Sequence, residues 1–594
     1  MKPIADYGLL GDTRTAALVS SDGSLDWLCV PRFDGDPIFG RLVGGPAAGR
    51  FRLGPATAAT VVERKYRHHS ATLETTWATP EGKLTLTEAM VAEVAGRLLP
   101  ATILVRRLSA DGEAVEAMVE FDPRRGEDHS RPRVRRRGQD LVCEWGALAT
   151  SLSCDAGPAI ELGQPTSFMV TPDRPVTFVL TVAHREPLIH VGAATAWALL
   201  AEDEGRWRDW TARVDQELPF REEVIRSLLT LRLLTYSPSG APVAAPTTSL
   251  PEQHGGVRNW DYRFAWPRDA SIGIAAFLGV GMVEEARGFL WWLLHASRLQ
   301  RPRLPVLLTL DGRQAPAERG LQDWPGYAGS VPVRVGNGAA QQHQLDGYGW
   351  VLNAAWTLVR AGHPLYSETW RAMRGFADLV ARRWNEPDAG IWEVRGDQVH
   401  HVHSKLMAWL ALDRALRIAE THRLSARRRR RWQAAREAIR VDVRRLGFDT
   451  SMGSYTRSYG SQELDAALLI LPRIGLEERG SPRVRGTLDA IRSQLSADGP
   501  LLYRYPPGRD GLPGTEGAFL PCSFWLVDAL ALDDRRRAAC DLFTELLDRA
   551  SPLGLYAEEL DPKTGEQLGN YPQALTHAAL IQAALALRDL PPVS

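Results

Sequence analysis

The chain changes texture near Phe220. Before it, apolar residues fall in short alternating or β-branched runs. After it, they recur at i, i+3, i+4 and i+7 over longer stretches, as in Val224, Leu228 and Leu231. A period of two lines one face of a strand and a period of 3.6 lines one stripe of a helix, so the two halves cannot share a layer. The expected fold is multidomain: an N-terminal antiparallel β-sandwich over 1–192, a helical linker over 193–219 and an all-α (α/α)6 barrel over 220–594. In the first part AALVS, LDWLCV, GRFRLG, KLTLTEAM, ATILVRRL, AVEAMVEF and RPVTFVLTVA read as strands. Turn signals such as Ser21-Asp22-Gly23, Pro80-Glu81-Gly82 and Ala110-Asp111-Gly112 separate them. Ala193 to Val214 reads as a helix with Trp197, Leu200 and Trp207 on one side.

The helical part offers about twelve stretches. They begin near Glu222, Asp269, Val283, Gly347, Tyr366, Ser404, Ser425, Gln462, Pro482, Ala518, Asp533 and Gln573. Ser425 is a good N-cap, and Ser461 is expected to cap a helix from Gln462. Short loops alternate with long ones. The long ones precede Asp269, Gly347, Ser404, Gln462, Ala518 and Gln573, and carry much of the Gly, Trp and charge. Six helix pairs closed in a ring would put every long loop at one end. Long loops in compact domains are usually functional, so the active site is expected there.

Composition narrows the partners. Basic and acidic side chains balance at 71 each, which argues against nucleic acid, whose phosphates call for a basic excess. The 19 Trp, several of them in Gly-containing loops, suit a flat, hydroxyl-bearing ligand such as a carbohydrate. Five cysteines with no CxxC spacing disfavour a disulfide framework or a zinc site and suggest a reducing, cytoplasmic setting. The opening MKPIADYGLLGD lacks the apolar core of a signal peptide, and the run Ile272 to Met282 is shorter than the ~20 residues a bilayer needs, so no membrane association is expected. A homo-oligomer is left open.

Three loops carry chemistry. GGVRNWDYRFAWPRDAS packs Arg258, Asp261, Arg263, Arg268 and Asp269 among Trp260, Tyr262, Phe264 and Trp266. Arg and Asp together can hold adjacent sugar hydroxyls by charge-assisted bonds. They could equally form an ion-pair network under a helix N-terminus, with Asp269 as its cap. In AGIWEVRGDQVHHVHSK, Glu393 follows Trp392, and a carboxyl group against an indole should hold its proton to higher pH, as a general acid must. His400, His401 and His403 are metal-ligating in type, but histidines crowded in an irregular loop rarely converge on one ion, and no metal or cofactor is expected. In GLYAEELDPKTGEQLGNYPQALTH, Glu558 and Glu559 are adjacent. An extended segment would turn one toward a pocket and the other toward solvent. Two carboxylates from distant loops are the equipment of glycosidic cleavage. Asp346, Glu463, Asp465 and Glu516 precede or begin helices and read as caps or structural acids, and Arg427–Arg431 as a solvated helix face. No phosphate-binding loop, dinucleotide fingerprint or nucleophile elbow is present.

Taken together these loops resemble glycoside hydrolase family 15, the family of glucoamylases, glucodextranases and bacterial trehalases. IADYGLLGDTRTAALVSSDGSLDWLCVPRFD is similar to the N-terminal signature of its bacterial branch. GVRNWDYRFAWPRDA, GIWEVRG, HSK, YGSQELDAALL, DGLPGTEGAF, CSFWLVDAL, AEELDP and GNYPQALTH are similar to its catalytic signatures. The resemblance implies an exo-acting, inverting α-glucoside hydrolase. Glu393 would be the general acid and Glu558 the general base, with Tyr262 near the catalytic water. Arg268 and Asp269 would grip the terminal glucose, beside Trp266 and Trp392. Trehalose and α-gluco-oligosaccharides are the substrates it suggests. Its rivals are a disaccharide phosphorylase of similar layout and a non-catalytic glycan-binding protein. Two positions depart from the family pattern: Trp350, where the bacterial branch usually has Glu in a loop expected to border the pocket, and Pro267, where Leu or Thr is usual.

Overall fold

The computed structural model describes residues 2–509 and 511–589; Asp510, which heads the DGLPGTEGAF motif, and residues 590–594 of the expected helical domain lie outside them. Residues 8–184 form two antiparallel sheets. One runs Gly8–Gly11, Ala16–Val19, Ser24–Val30, Arg50–Pro55, Val115–Asp122, Thr166–Val170, with Asp36–Phe39 paired to the third of these. The other runs Arg133–Arg137, Asp140–Trp145, Leu148–Asp155, Val176–His184, Ala101–Gly112, Gly82–Met90, Leu73–Ala78, Thr60–Tyr66. Alternation places Phe39, Phe51 and Phe121 on one inner face, and Phe51 meets Phe178 of the other sheet edge-on at 6.4 Å. All seven strands expected from the sequence are present.

Helix α1 (Ala193–Thr211) packs on Val176–His184 and Ala101–Gly112 of the second sheet. Leu200 is buried against it, Trp207 is buried further along the helix, and the Arg107 guanidinium covers the Trp197 ring at 4.2 Å. The helical region follows with α2 (Arg221–Leu233), α3 (Pro267–Gly279), α4 (Val283–Ala296), α5 (Asp346–Arg360), α6 (Ser367–Arg383), α7 (Val402–Ile418) and α8 (Ala426–Leu446). Then come α9 (Leu471–Ile474), α10 (Pro482–Gln494), α11 (Leu520–Leu532), α12 (Arg536–Leu547) and α13 (Ala574–Arg588).

Contacts order these helices. α3 packs on α5, α5 on α7, α7 on the 3-10 turn Ala466–Ile470 that leads into α9, that turn on α11, α11 on α13, and α13 back on α3. α7, α11 and α13 are buried nearly all round, as helices enclosed by others must be. α4, α6, α8 and α12 keep one polar face and lie outside them.

Two helix starts need comment. Ser425 caps α8, its hydroxyl accepting from the Arg428 N–H. The helix expected from Gln462 does not form there: residues 462–465 have no regular structure, and Asp465, not Ser461, caps the turn that begins at Ala466. Among the described residues no helix is long and apolar enough to cross a membrane.

The sheets touch the loops of the helical region directly. The Trp27 indole N–H donates to Pro246 O at 2.8 Å, Arg263 to Gly35 O at 3.0 Å, and the Tyr571 hydroxyl to Tyr7 O at 2.9 Å.

Candidate active site

One cleft, of about 890 Å³ counting the space at its mouth, is lined from five of the six long loops. Glu252, Arg258, Trp260, Tyr262 and Trp266 come from the loop before α3, and Asn337 and Ala339 from the one before α5. Trp392, Glu393 and Arg395 precede α7, Arg504, Tyr505 and Phe519 precede α11, and Glu558 precedes α13. Arg268 and Asp269 of α3 close its floor.

The first loop is fixed from behind. Buried Arg263 grips Asp261 with two bonds of 2.9 and 2.7 Å, and Asp261 also accepts the Gly336 N–H at 3.1 Å. Tyr262, between them, is thereby turned into the cleft, where its hydroxyl donates to Glu558 Oε1 at 2.7 Å. Trp266 meets Tyr262 edge-on and donates its indole N–H to Glu393 Oε1 at 2.8 Å. Pro267 is the first residue of α3, the helical position at which a missing N–H costs nothing. Asp269 does not cap that helix. It sits in the first turn and accepts from Arg268 Nε at 2.8 Å, while Arg268 Nη1 donates to Ile391 O at 2.9 Å and lies 3.5 Å from Glu393 Oε1.

Glu393 lines the cleft from a partly buried position. It occupies a turn with φ of 58°, a conformation that costs a non-glycine residue energy and that tends to survive at functional sites. Gln342 ties the turn down by donating to Glu393 O at 3.0 Å and Val394 O at 3.2 Å. Burial pushes its carboxyl above the ordinary range, against the pull of Arg268 and the Trp266 bond. Trp392, the residue before it, packs edge-on against Phe519 and donates to Asp465.

Glu558 is 2% exposed. Burial and the charge of Glu252 push its carboxyl up, and Arg504 and the Tyr262 bond pull it down. Gly569, at φ +77°, backs it: a Cβ there would lie 3.0 Å from Glu558 Oε2. The expectation that Glu559 faces solvent fails. Its side chain is buried, accepting from the Gly517 N–H at 2.8 Å and lying 3.4 Å from Arg504 Nη2.

All the site residues expected from the sequence, Glu393, Glu558, Tyr262, Arg268, Asp269, Trp266 and Trp392, therefore line one cleft. Trp350 does not. It lies within α5, not in a loop, tilts against His403 at 6.2 Å, and is not among the lining residues. The histidines are dispersed: His401 precedes α7, His403 is buried in its first turn, and His400 stacks on Tyr459. Asp465 is a cap, as expected, and Glu463 pairs with Arg457 at 3.2 Å. Arg428 and Arg431 of the basic run reach Asp378 on α6.

Sequence reasoning missed Glu252, Arg504 and Arg395. Arg395 holds Glu318 with two bonds and covers one face of Trp260 at 4.2 Å, and Arg334 covers the ring at 4.6 Å. Arg504 is the hub of a buried carboxylate cluster described below. Nothing in its setting, LLYRYPPG, marks it as more than an arginine between two tyrosines.

The chemistry of this arrangement agrees with its relatives. Residues 219–585 match the model of glycosyl hydrolases family 15, and residues 1–150 match that of a trehalase-like N-terminal region. A trehalase from Mycolicibacterium smegmatis is 36% identical, with 98% of this chain and 91% of the relative covered. One from Thermoplasma volcanium is 32% identical, with 98% and 93% covered. A bacterial glucoamylase solved with acarbose shares the fold, with a TM-score of 0.74 at 14% identity over 99% of this chain and 94% of that one. With both carboxylate loops and the Trp-Pro-Arg-Asp floor inside the matched span, the chain belongs to glycosyl hydrolases family 15 and is a glycoside hydrolase.

Proposed function

We propose that this hydrolase cleaves α,α-trehalose by single displacement with inversion. The observation that carries the reading is that Glu393 and Glu558 line the same cleft from loops 165 positions apart, each held by an aromatic donor, Trp266 and Tyr262. Arg268 and Asp269 lie at the floor and hold the hydroxyls of the terminal glucose, with Trp266 and Trp392 as walls. Glu393, protonated, faces the leaving oxygen. Glu558, ionised, takes a proton from water as the water oxygen bonds to the anomeric carbon from the opposite side. The carbon–oxygen bond breaks, and the leaving oxygen accepts the Glu393 proton. Such a pair is expected ~6.5–9.5 Å apart, which leaves room for the water. Trehalose is preferred because curated relatives that match nearly the whole chain are trehalases.

The same reading takes the ring of contacts as an (α/α)6 barrel, the two sheets as a β-sandwich, and 1–192, 193–219 and 220–594 as domain, linker and catalytic domain. Cysteines that form no disulfide fit a cytoplasmic setting. A panel of α-linked glucose disaccharides tests the substrate. Trehalose should give the highest kcat/KM, with glucose as the product; a tenfold preference for maltose or isomaltose would overturn the assignment.

A further inference from the structure

Behind Glu558 lies a nest of charge that the reaction scheme does not use. Glu252, Glu516 and Glu559, from three separate loops, each bring a carboxylate oxygen within 4.8 Å of the others, and all are buried. That spacing would suit a cation, but a side chain already occupies the convergence. Arg504 Nη2 donates to Glu516 at 2.7 Å and Glu252 at 3.1 Å and lies 3.4 Å from Glu559, while its Nε donates to Glu516 at 3.1 Å. Arg258 brings a second guanidinium to 3.3 Å from Glu516 and 4.0 Å from Glu252. Trp260 donates to Glu252 at 2.8 Å and Tyr505 to Glu516 at 3.1 Å.

Glu558, the chain neighbour of Glu559, is the fourth carboxylate. Among the described residues of the nest, two guanidinium groups thus face the three carboxylates of Glu252, Glu516 and Glu559, with Glu558 next along the chain, so carboxylates outnumber guanidinium groups where little water can screen them. A cluster serving stability alone gains nothing from that imbalance, because an uncompensated buried charge is costly. Beside a group that must accept a proton, the imbalance has a use.

We propose that Glu252 and Glu559 are positioning residues for hydrolysis, fixing Arg504 and holding excess negative charge beside Glu558 so that it acts as a stronger base. This rests on the reading of Glu558 as the base. A like charge nearby favours the protonated form, so the carboxylate draws a proton from water more readily. Arg504 opposes the effect without cancelling it. The titratable and charged groups that face Glu558 are Tyr262, Glu252, Arg504, Glu516 and Glu559, and Glu393 with Arg268 and Asp269 stands across the cleft.

The test is the pH dependence of kcat/KM for wild type, Glu252→Gln and Glu559→Gln, on the best disaccharide of the panel. Each substitution should move the acidic limb to lower pH, by about one unit, and lower the plateau as the base weakens. A merely structural role would lower activity at every pH and leave the limb in place. A limb that stays or moves to higher pH in a folded variant overturns the role of that residue. If circular dichroism shows Glu252→Gln unfolded, Glu559→Gln decides alone. Failure of the underlying reading looks different: Glu558→Gln would then remain active. A dead Glu558→Gln with unmoved limbs in the other two removes the tuning and leaves the base.

Discussion

The two sides of the cleft treat a carboxylate in different ways. On one side Glu393 stands in a strained turn, its side chain 20% exposed, with one tryptophan bond and a guanidinium 3.5 Å away. On the other, Glu558 is closed in by a tyrosine bond, a glycine that leaves it just enough room, and a nest in which carboxylates outnumber arginines. Burial alone would raise both proton affinities and leave the two acids alike. What separates them is the company: few groups around Glu393, the proposed acid, and a denser set of charges around Glu558, the proposed base.

Substitutions should break this contrast in a definite order. Glu558→Ala should cost the most, at least the ~10²–10⁴-fold of general base catalysis, and equally on trehalose and on an activated aryl α-glucoside, because both need the water activated. Glu393→Gln should cost as much on trehalose but far less on the aryl glucoside, whose leaving group departs without a proton. Equal losses on both substrates would deny Glu393 its role. Parallel kinetics on the two substrates, with circular dichroism to verify folding, measure both.

Tyr262→Phe should act more mildly and on one side only. Its hydroxyl bonds to Glu558 and lowers that carboxyl's proton affinity. Without the bond Glu558 keeps its proton to higher pH, so the acidic limb of kcat/KM should move up, opposite to the change expected for Glu252→Gln. The alkaline limb, assigned to Glu393 as the proposed acid, should stay. Gly569→Ala forces a side chain into positive φ against Glu558 and should cost about 1–3 kcal/mol of stability, read as a lower urea midpoint, with some loss of activity. Breaking the exposed Arg319–Glu127 pair with Glu127→Ala should change stability by less than about 1 kcal/mol and leave both limbs alone.

Sequence carried the two sides unequally. Glu393 and Glu558 stand in motifs dense enough to single out, and the long loops that bear them alternate visibly with short ones. Strands with clean alternation, such as Gly82–Met90, were equally legible. The edge strands Arg133–Arg137 and Thr60–Tyr66 were not: the first is exposed at every residue and the second at most, so no buried face marks either. The turn at Ala466 was misread because AALLI supplies a helical pattern, while the Asp465 cap and Pro472 shorten it to a 3-10 turn and one α-turn. The charge nest was invisible for a different reason. Glu252 and Arg504 are unremarkable in their own segments, Glu516 reads there as a structural acid and Glu559 as one of an adjacent pair, and the four gain their common meaning only where three loops meet. Trp350 shows the converse, a conspicuous substitution that the fold places inside a helix and out of the cleft.

The central claim is that an acid and a base face one another across a sugar and a water. Proton NMR of the first minutes of trehalose hydrolysis tests it most directly. Inversion turns the glucose that is attacked into the β anomer, while the leaving glucose keeps its α configuration, so the two anomers should appear in equal amounts before mutarotation shifts them. Initial release of α-glucose alone, from both halves of the disaccharide, would require retention through a covalent glycosyl-enzyme and would contradict the account.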